Sequence, residues 1–195
     1  TSEDDIGKKT SGLEEFLEGK QASLNRIERP FDISASKGKI YISDTLYKKI
    51  LIINLDKKEI EFLKDEGAGS LVEPMGIWVT EDDIKYVTDK GRKQIIAFDR
   101  DNKYLKAYGE KEQFALPLDT AVYKDRIYVC DRDKNSIEVI DKETGKTIQS
   151  IGGIGSEEGK LYKPTHVIVD HEGNIYVNDN FNFRVQKFSP DGAYI

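Results

Sequence analysis

The sequence contains few of the residues from which redox and metal sites are built. Cys130 is the only cysteine among 195 residues, which excludes internal disulfide bonds and a zinc site made of cysteines. There are only two histidines, His166 and His171. No apolar run reaches the roughly 18 residues that a membrane-spanning helix needs, so we expect no transmembrane segment.

The composition is that of a folded, polar domain with an acidic balance. Charged residues make up 34% of the chain and hydrophobic residues 37%, which is outside the range of disordered sequences. The length is sufficient for one domain with a sizeable core. The net charge of −6 argues against a nucleic-acid partner, because phosphate contacts require clustered lysine and arginine.

Four related segments recur along the chain. The tetrads YISD, YVTD, YVCD and YVND end at aspartates spaced 45, 42 and 48 residues apart. Prolines precede these aspartates at spacings of 44, 43 and 47 residues, and β-branched residues follow each aspartate at a distance of six. The repeat positions are Pro30, Pro74, Pro117 and Pro164; Asp44, Asp89, Asp131 and Asp179; and Ile50, Ile95, Ile137 and Val185.

Each repeat predicts a run of short antiparallel strands. An apolar segment follows each proline, a second strand ends at the aspartate, and a third and a fourth follow across turns such as DRDN, KETG and SPDG. Four strands in each unit of about 45 residues are typical of a propeller blade. A β-sandwich is the alternative, but its strands would not return in register four times.

The last repeat resembles the NHL-repeat β-propeller family, in particular its bacterial, exported members. The matching residues are Pro164, Val167, Ile175, Tyr176, Val177, Asp179, Asn182, Arg184, Val185, Phe188 and Gly192. The connection GGIGSEEGKLYKP resembles the glycine-punctuated segment before an NHL blade. The other three repeats depart from the pattern, since they lack the asparagine together with a basic residue before the third strand.

The resemblance covers roughly residues 30–195 and implies an all-β propeller, usually of six blades. The sequence holds about four blades, and the fourth strand of the last one, AYI, is short. We therefore expect an incomplete ring, whose remaining blades lie elsewhere; a closed ring of four blades is the alternative. An open arc would leave two apolar blade faces bare, which soluble monomers rarely tolerate.

Residues 1–29 form a lead-in that precedes the first blade. The stretch TSGLEEFLEGK predicts a short helix, capped by Ser11 with Glu14 three residues later and ended by Gly19. Leu13, Phe16 and Leu17 share one face of it, which we expect to pack on the propeller. The lead-in also resembles that of some exported or lipid-anchored bacterial NHL proteins, which implies an extracytoplasmic location.

One set of candidate site residues lies near the mouth of the central channel. Two residues after the prolines stand Asp32, Gly76, Asp119 and His166. Two carboxylates and an imidazole facing one channel could hold a metal or polarise a carbonyl. Structural hydrogen bonds between neighbouring blades are the competing interpretation. NHL-type metal-dependent lyases use several histidines, whereas this chain has two, so absent blades would have to complete such a site.

A second set lies in the loops that follow the repeat aspartates. Antiparallel alternation places these loops on the same edge of every blade, which we call the loop face. They carry the candidate interface residues Tyr47, Lys48, Lys49, Arg92, Lys93, Arg132, Lys134, Phe181, Phe183 and Arg184. Basic and aromatic side chains on a rigid platform suit a protein interface. A solvated loop set, with Asp179 and Arg184 paired structurally, is the alternative.

These patterns lead to one principal expectation of function and one alternative. We expect a non-enzymatic scaffold without a cofactor, which binds another protein through the loop face outside the cytoplasm. The alternative is an enzyme of lyase or lactonase type, with a metal or polar site at the central channel completed by absent blades. The chain itself contains no nucleophile–base pair and no phosphate-binding loop.

Overall fold

The computed structural model describes residues 27–64 and 66–195 and shows four antiparallel sheets. The predicted helix at residues 11–19 lies outside the described residues. Three sheets have four strands and the last has three, each in sequence order from an inner to an outer strand. Along the described ranges, no helix is long and apolar enough to cross a bilayer.

Each repeat forms one sheet, which we call a blade. Blade 1 comprises β1 (Pro30–Ser36), β2 (Lys39–Asp44), β3 (Lys49–Asn54) and β4 (Glu59–Phe62). Blade 2 comprises β5 (Pro74–Val79), β6 (Lys85–Asp89), β7 (Gln94–Phe98) and β8 (Tyr104–Tyr108). Blade 3 comprises β9 (Pro117–Tyr123), β10 (Arg126–Asp131), β11 (Ser136–Asp141) and β12 (Thr147–Gly152). Blade 4 comprises β13 (His166–Val169), β14 (Ile175–Asp179) and β15 (Arg184–Phe188). Short 3₁₀ turns occupy Gly67–Gly69 and Asn180–Asn182.

The inner strands pack side by side in the order β1, β5, β9 and β13, which forms the hub. Three of them begin at a repeat proline, and Pro164 lies two residues before β13. The short segment AYI contributes only a single bridge, from Tyr194 to Phe188. The predicted all-β propeller of four-stranded blades is confirmed.

Successive blades are joined by apolar clusters. Each blade has a leading face, which is turned toward the next blade in the chain, and a trailing face, which is turned toward the previous one. Tyr41, Ile50 and Ile52 on the leading face of blade 1 pack against the trailing face of blade 2. Equivalent clusters join blade 2 to blade 3 and blade 3 to blade 4.

The two ends of the arc differ in which of their apolar side chains are exposed. On the trailing face of blade 1, Ile42, Leu51 and Ile53 are at most 8% exposed, and Ile27 packs against them. On the leading face of blade 4, Ile168 is 57% and Val185 68% exposed. Ile33 on the trailing face of blade 1 is 64% exposed as well, so both ends of the arc present apolar surface, in the first blade at the inner strand.

Candidate functional site

The hub carboxylates Asp32 and Asp119 connect neighbouring inner strands. Oδ2 of Asp32 accepts a hydrogen bond from the backbone N–H of Ile77 at 2.8 Å, and Oδ2 of Asp119 accepts one from Val167 at 2.9 Å. The other oxygen of each carboxylate accepts the amide of the next residue along its own strand. Both side chains thus satisfy backbone donors of the following blade.

Gly76 occupies the equivalent position in blade 2, where a side chain would collide with blade 3. A Cβ atom on Gly76 would lie 2.7 Å from the Cα of Asp119. The glycine therefore permits the close approach of β5 and β9 that brings Asp119 to the hub.

His166 lies with the two carboxylates at the hub. Its ring stacks on Phe31 with 5.2 Å between the ring centroids, which connects the inner strands of blades 1 and 4. Its Nδ1 lies 3.1 Å from Oγ1 of Thr165. Asp32 therefore lies close enough to His166 and to Asp119 for its charge to interact with both. Phe31, which the sequence did not single out, completes the group.

Burial sets the protonation of the hub carboxylates. Desolvation raises the pKa of the fully buried Asp119 well above its ordinary value, and the negative charge of Asp32 raises it further. Desolvation also raises the pKa of Asp32, although the amides of Ile77 and Ile33 and the imidazole of His166 oppose this. A carboxyl group that holds its proton when its neighbour is ionised is a feature of many functional sites.

We expect the pH dependence of stability to reveal the buried Asp119. Since its pKa is higher in the folded than in the unfolded chain, the folded state binds more protons, and stability falls as pH rises from about 4 toward the folded pKa. Asp119→Asn should remove this loss. Over pH 4 to 8 the wild type should lose at least ~1 kcal/mol more unfolding free energy than Asp119→Asn. Denaturant titrations at each pH measure this difference.

Asp32→Asn serves as the companion variant in this experiment. Asp32→Asn removes the charge that raises the pKa of Asp119. The unfolding free energy of this variant should therefore fall less steeply with rising pH than that of the wild type, but it should still fall. Parallel pH profiles for the wild type and Asp119→Asn would contradict the assignment.

The repeat aspartates fasten each blade to the segment that leads into it. Oδ2 of Asp131 accepts the amide of Ala115 at 2.7 Å, and its Oδ1 accepts those of Leu116 at 2.9 Å and Lys134 at 3.2 Å. Asp89 accepts three backbone amides in the same manner, and Asp44 accepts four. Burial favours a higher pKa for Asp44, but these amides together hold it below its ordinary value.

Several basic candidates on the loop face already have structural partners. Nη1 of Arg92 donates to the carbonyls of Ala68 and Ser70, and Nζ of Lys134 donates to that of Gln113. Arg184 pairs with Asp179 at 2.9 Å and donates to the carbonyls of Glu157 and Lys160. These three side chains therefore hold the loops against the lead-in segments.

The aromatic candidates remain available on the loop face. Tyr47 is 41%, Phe181 47% and Phe183 95% exposed. Phe181 packs edge-to-face against Tyr162, with 5.4 Å between the ring centroids. Tyr162 was not among the predicted residues, because it precedes the repeat proline rather than following the aspartate.

One position of the loop recurs in a left-handed conformation. Lys48, Lys93, Asn135 and Phe183 occupy it, with φ between 54° and 57°. This conformation is costly for a bulky residue. Phe183 is therefore both the most exposed large hydrophobic side chain among the described residues and a strained one.

The remaining candidate interface residues are basic side chains of the loop face. Lys48 and Lys93 are exposed and Arg132 is half-buried. Nζ of Lys49 lies 5.4 Å from the ring centroid of Phe62. Among residues 27–64 and 66–195, no three histidine, cysteine, aspartate or glutamate side chains are grouped so as to hold a metal ion.

The fold and the repeat define a β-propeller of recurring antiparallel blades. No family model matches the sequence. A curated relative, the E3 ubiquitin-protein ligase TRIM71 of Xenopus tropicalis, is 51% identical over 45 residues, which is 23% of this chain and 6% of that protein. The chain therefore spans only a small part of the curated relatives that it matches.

Solved structures share the fold at low sequence identity. A streptogramin B lyase structure superimposes with a TM-score of 0.67 at 14% identity, covering 85% of this chain and 53% of the lyase chain. A chain of a nidogen/laminin complex superimposes with a TM-score of 0.67 at 18% identity, covering 85% and 62%. At these identities the similarity shows the propeller fold alone.

Proposed function

We propose that this protein is a non-enzymatic scaffold that binds another protein through the loop face of its propeller. The observation that carries the proposal is Phe183, a bulky side chain held in a left-handed conformation and 95% exposed. The left-handed turn recurs in every blade, but the other blades carry lysine or asparagine at this position, so the exposed phenylalanine is the exception. Exposed aromatic residues on a rigid platform are favoured anchors of protein interfaces.

The other residues of the loop face define the chemistry of this interface. Phe181 and Tyr162 lie on the same face as a supported aromatic pair, and Lys48 and Lys93 add exposed positive charge. Arg92 and Arg184 serve as supports of the loops, because their guanidinium groups are bound to lead-in carbonyls. Aromatic anchoring with basic surroundings suits a protein partner that carries apolar and acidic groups.

The hub supports this proposal over an enzyme with a site in the central channel. Asp32 and Asp119, the two carboxylates available for chemistry there, each accept a backbone amide of the following blade. An oxygen engaged in this way has reduced capacity for substrate or metal. We also propose an extracytoplasmic location, on the resemblance of the lead-in, which fractionation of the source cells would test.

Phe183→Asn should separate binding from folding. Asn135 already occupies the equivalent position in blade 3 with a φ of 57°, so asparagine fits the left-handed conformation. We expect the variant to be more stable than the wild type by about 0.5–1 kcal/mol, since the strain of the phenylalanine is relieved. We expect it to lose at least about tenfold in affinity for the partner, as a hot-spot residue does.

The measurement combines denaturant titration with quantitative affinity capture from extracts of the source organism. Leu105→Asn is the matched control, because Leu105 is 51% exposed on β8, away from the loop face. A protein retained by the wild type and by Leu105→Asn, but lost with Phe183→Asn, supports the proposal. Equal retention of every captured protein by Phe183→Asn would exclude this loop as the interface.

A further inference from the structure

The second strands of blades 1 and 3 begin with the same arrangement of a basic residue and a tyrosine. Lys39 and Tyr41 are the first and third residues of β2, and Arg126 and Tyr128 are the first and third residues of β10. Both tyrosines lie in the interface with the next blade, where they are at most 1% exposed. The two interfaces can therefore be compared position by position.

Between blades 1 and 2 an aspartate binds both of these side chains. The hydroxyl of Tyr41 donates to Oδ1 of Asp83 at 2.7 Å, and Nζ of Lys39 pairs with Oδ2 at 3.2 Å. Asp83 lies in the turn before β6, three residues before the repeat tyrosine Tyr86. This interface therefore contains its own carboxylate.

Between blades 3 and 4 the corresponding carboxylate is missing. Gly173 stands three residues before the repeat tyrosine Tyr176, at the position of Asp83 in blade 2. A Cβ atom on Gly173 would lie 2.8 Å from Cε1 of Tyr123, so a larger residue would not fit without moving this ring. Within the part of the chain that the structure describes, no aspartate or glutamate pairs with Arg126.

A cavity of about 440 Å³ lies at this place, on the edge of the blades opposite the loop face. Its walls include Arg126, Tyr128, Tyr123 and Pro190. Tyr123 and Pro190 border the missing side chain directly, since a Cβ atom on Gly173 would lie 3.3 Å from Cγ of Pro190. The volume of this cavity is in the range of small-molecule sites, and the two rings give it an apolar wall.

The polar groups of the cavity favour an anion beside Arg126. This side chain is half-buried, and its Nη1 donates to the carbonyl of Pro190 at 3.3 Å. Burial raises the pKa of Tyr128, and the neighbouring guanidinium of Arg126 opposes this rise, so the hydroxyl keeps its proton and can donate it. Two carboxylates also line the cavity, Asp125 and Asp191, but both lie in exposed turns, and Asp191 already accepts a hydroxyl within its own turn.

We propose that this cavity binds a small carboxylic acid, whose carboxylate takes the place that Asp83 fills between blades 1 and 2. The carboxylate accepts hydrogen bonds from the guanidinium of Arg126, whose planar fork suits it, and from the hydroxyl of Tyr128. The apolar body of the acid lies along the rings of Tyr123 and Pro190. The inference is independent of the loop-face proposal, because the cavity lies at the opposite edge of the blades.

Titration of the complete protein with benzoate, followed by heteronuclear NMR, tests this proposal. We expect saturable shifts of the amide signals of Gly173 and of Gln149, which lines the cavity, with a Kd of about 1 mM. Benzamide has the same ring without the charge and should not saturate these signals. No saturation with benzoate at about 20 mM, or equal binding of benzamide, would overturn the proposal.

Two substitutions locate the bound carboxylate. Arg126→Gln should weaken benzoate binding at least about tenfold and Tyr128→Phe at least about threefold, since each removes a donor. Arg100→Gln is the matched control, because Arg100 is an exposed arginine in the turn between β7 and β8. Far-UV circular dichroism shows whether each variant is folded. Equal benzoate affinity of the Arg126→Gln and Arg100→Gln variants would refute the assigned site.

Two other probes distinguish the sources of the anion. Inorganic phosphate supplies charge with a different geometry, and the acetylated and amidated tripeptide Ala-Asp-Ala supplies the carboxylate of a protein side chain. Weaker binding of both than of benzoate supports a small carboxylic acid. Tighter binding of phosphate would overturn the preference for a carboxylate, and tighter binding of the peptide would overturn the small-molecule assignment in favour of a protein partner.

Discussion

Replacing Asp131 by alanine is expected to lower the free energy of unfolding by about 3–4 kcal/mol, because three backbone amides lose a buried acceptor. The carboxylate is fully buried and connects the lead-in segment of blade 3 to the loop after β10. Without it, water must enter or the lead-in must detach. Guanidinium-induced unfolding followed by far-UV circular dichroism measures the change.

Asp131→Asn provides a graded comparison and Asp101→Ala a control. The asparagine keeps one carbonyl oxygen, so it should lose about half as much stability as the alanine. Asp101 lies in an exposed turn, and its replacement should change the unfolding free energy by less than about 0.5 kcal/mol. If Asp131→Ala behaved like Asp101→Ala, the repeat aspartate would have no clamping role.

The second large effect is expected at Asp83, the partner of a buried lysine. The ammonium of Lys85 is inaccessible to solvent, pairs with Asp83 at 3.2 Å and donates to the carbonyls of Asp99 and Arg100. Asp83→Asn should cost about 3 kcal/mol, because the buried ammonium then keeps only neutral acceptors and no opposite charge. The backbone of Asp83 is left-handed, with a φ of 64°, and asparagine tolerates this conformation. Backbone strain should therefore not contribute to the change in unfolding free energy.

The double variant Asp83→Asn with Lys85→Met should recover part of this loss, since the carbonyls of Asp99 and Arg100 lose their donor while the uncompensated charge is removed. Methionine fills a similar volume without a charge, and replacing a whole buried pair by apolar groups is often neutral. Desolvation already lowers the pKa of Lys85 and Asp83 opposes this, so the single variant should gain stability as pH rises toward the ordinary lysine pKa. A double variant as unstable as Asp83→Asn alone, with no such pH dependence, would contradict the interpretation.

Much of the candidate site followed from the sequence because the repeat fixes positions. Counting from each proline placed Asp32, Asp119 and His166 at one level of the hub, and counting from each aspartate placed the loops on one face. Spacing cannot show which donors a side chain meets. Nothing in the sequence indicated that the guanidinium groups of Arg92 and Arg184 bind the lead-in carbonyls, although the sequence offered the pairing of Arg184 with Asp179 as an alternative.

Other features of the structure could not be predicted from the sequence. Lys85 precedes a repeat tyrosine and resembles any exposed strand lysine, yet it is buried against Asp83 from a neighbouring turn. The stack of Phe31 on His166 joins residues more than a hundred positions apart. Contacts of this kind depend on how the blades are arranged around the hub.

The sequence by itself determined the repeat, the strands and their register, because alternating apolar residues and turn residues act over a few positions along the chain. The tertiary structure alone decided which polar side chains are bound internally and which remain available. It also decided which apolar side chains at the ends of the arc are covered, such as Leu51 and Ile53, and which are open, such as Ile33, Ile168 and Val185. These outcomes depend on packing between whole sheets, and a local pattern carries no information about the neighbour that a sheet will meet.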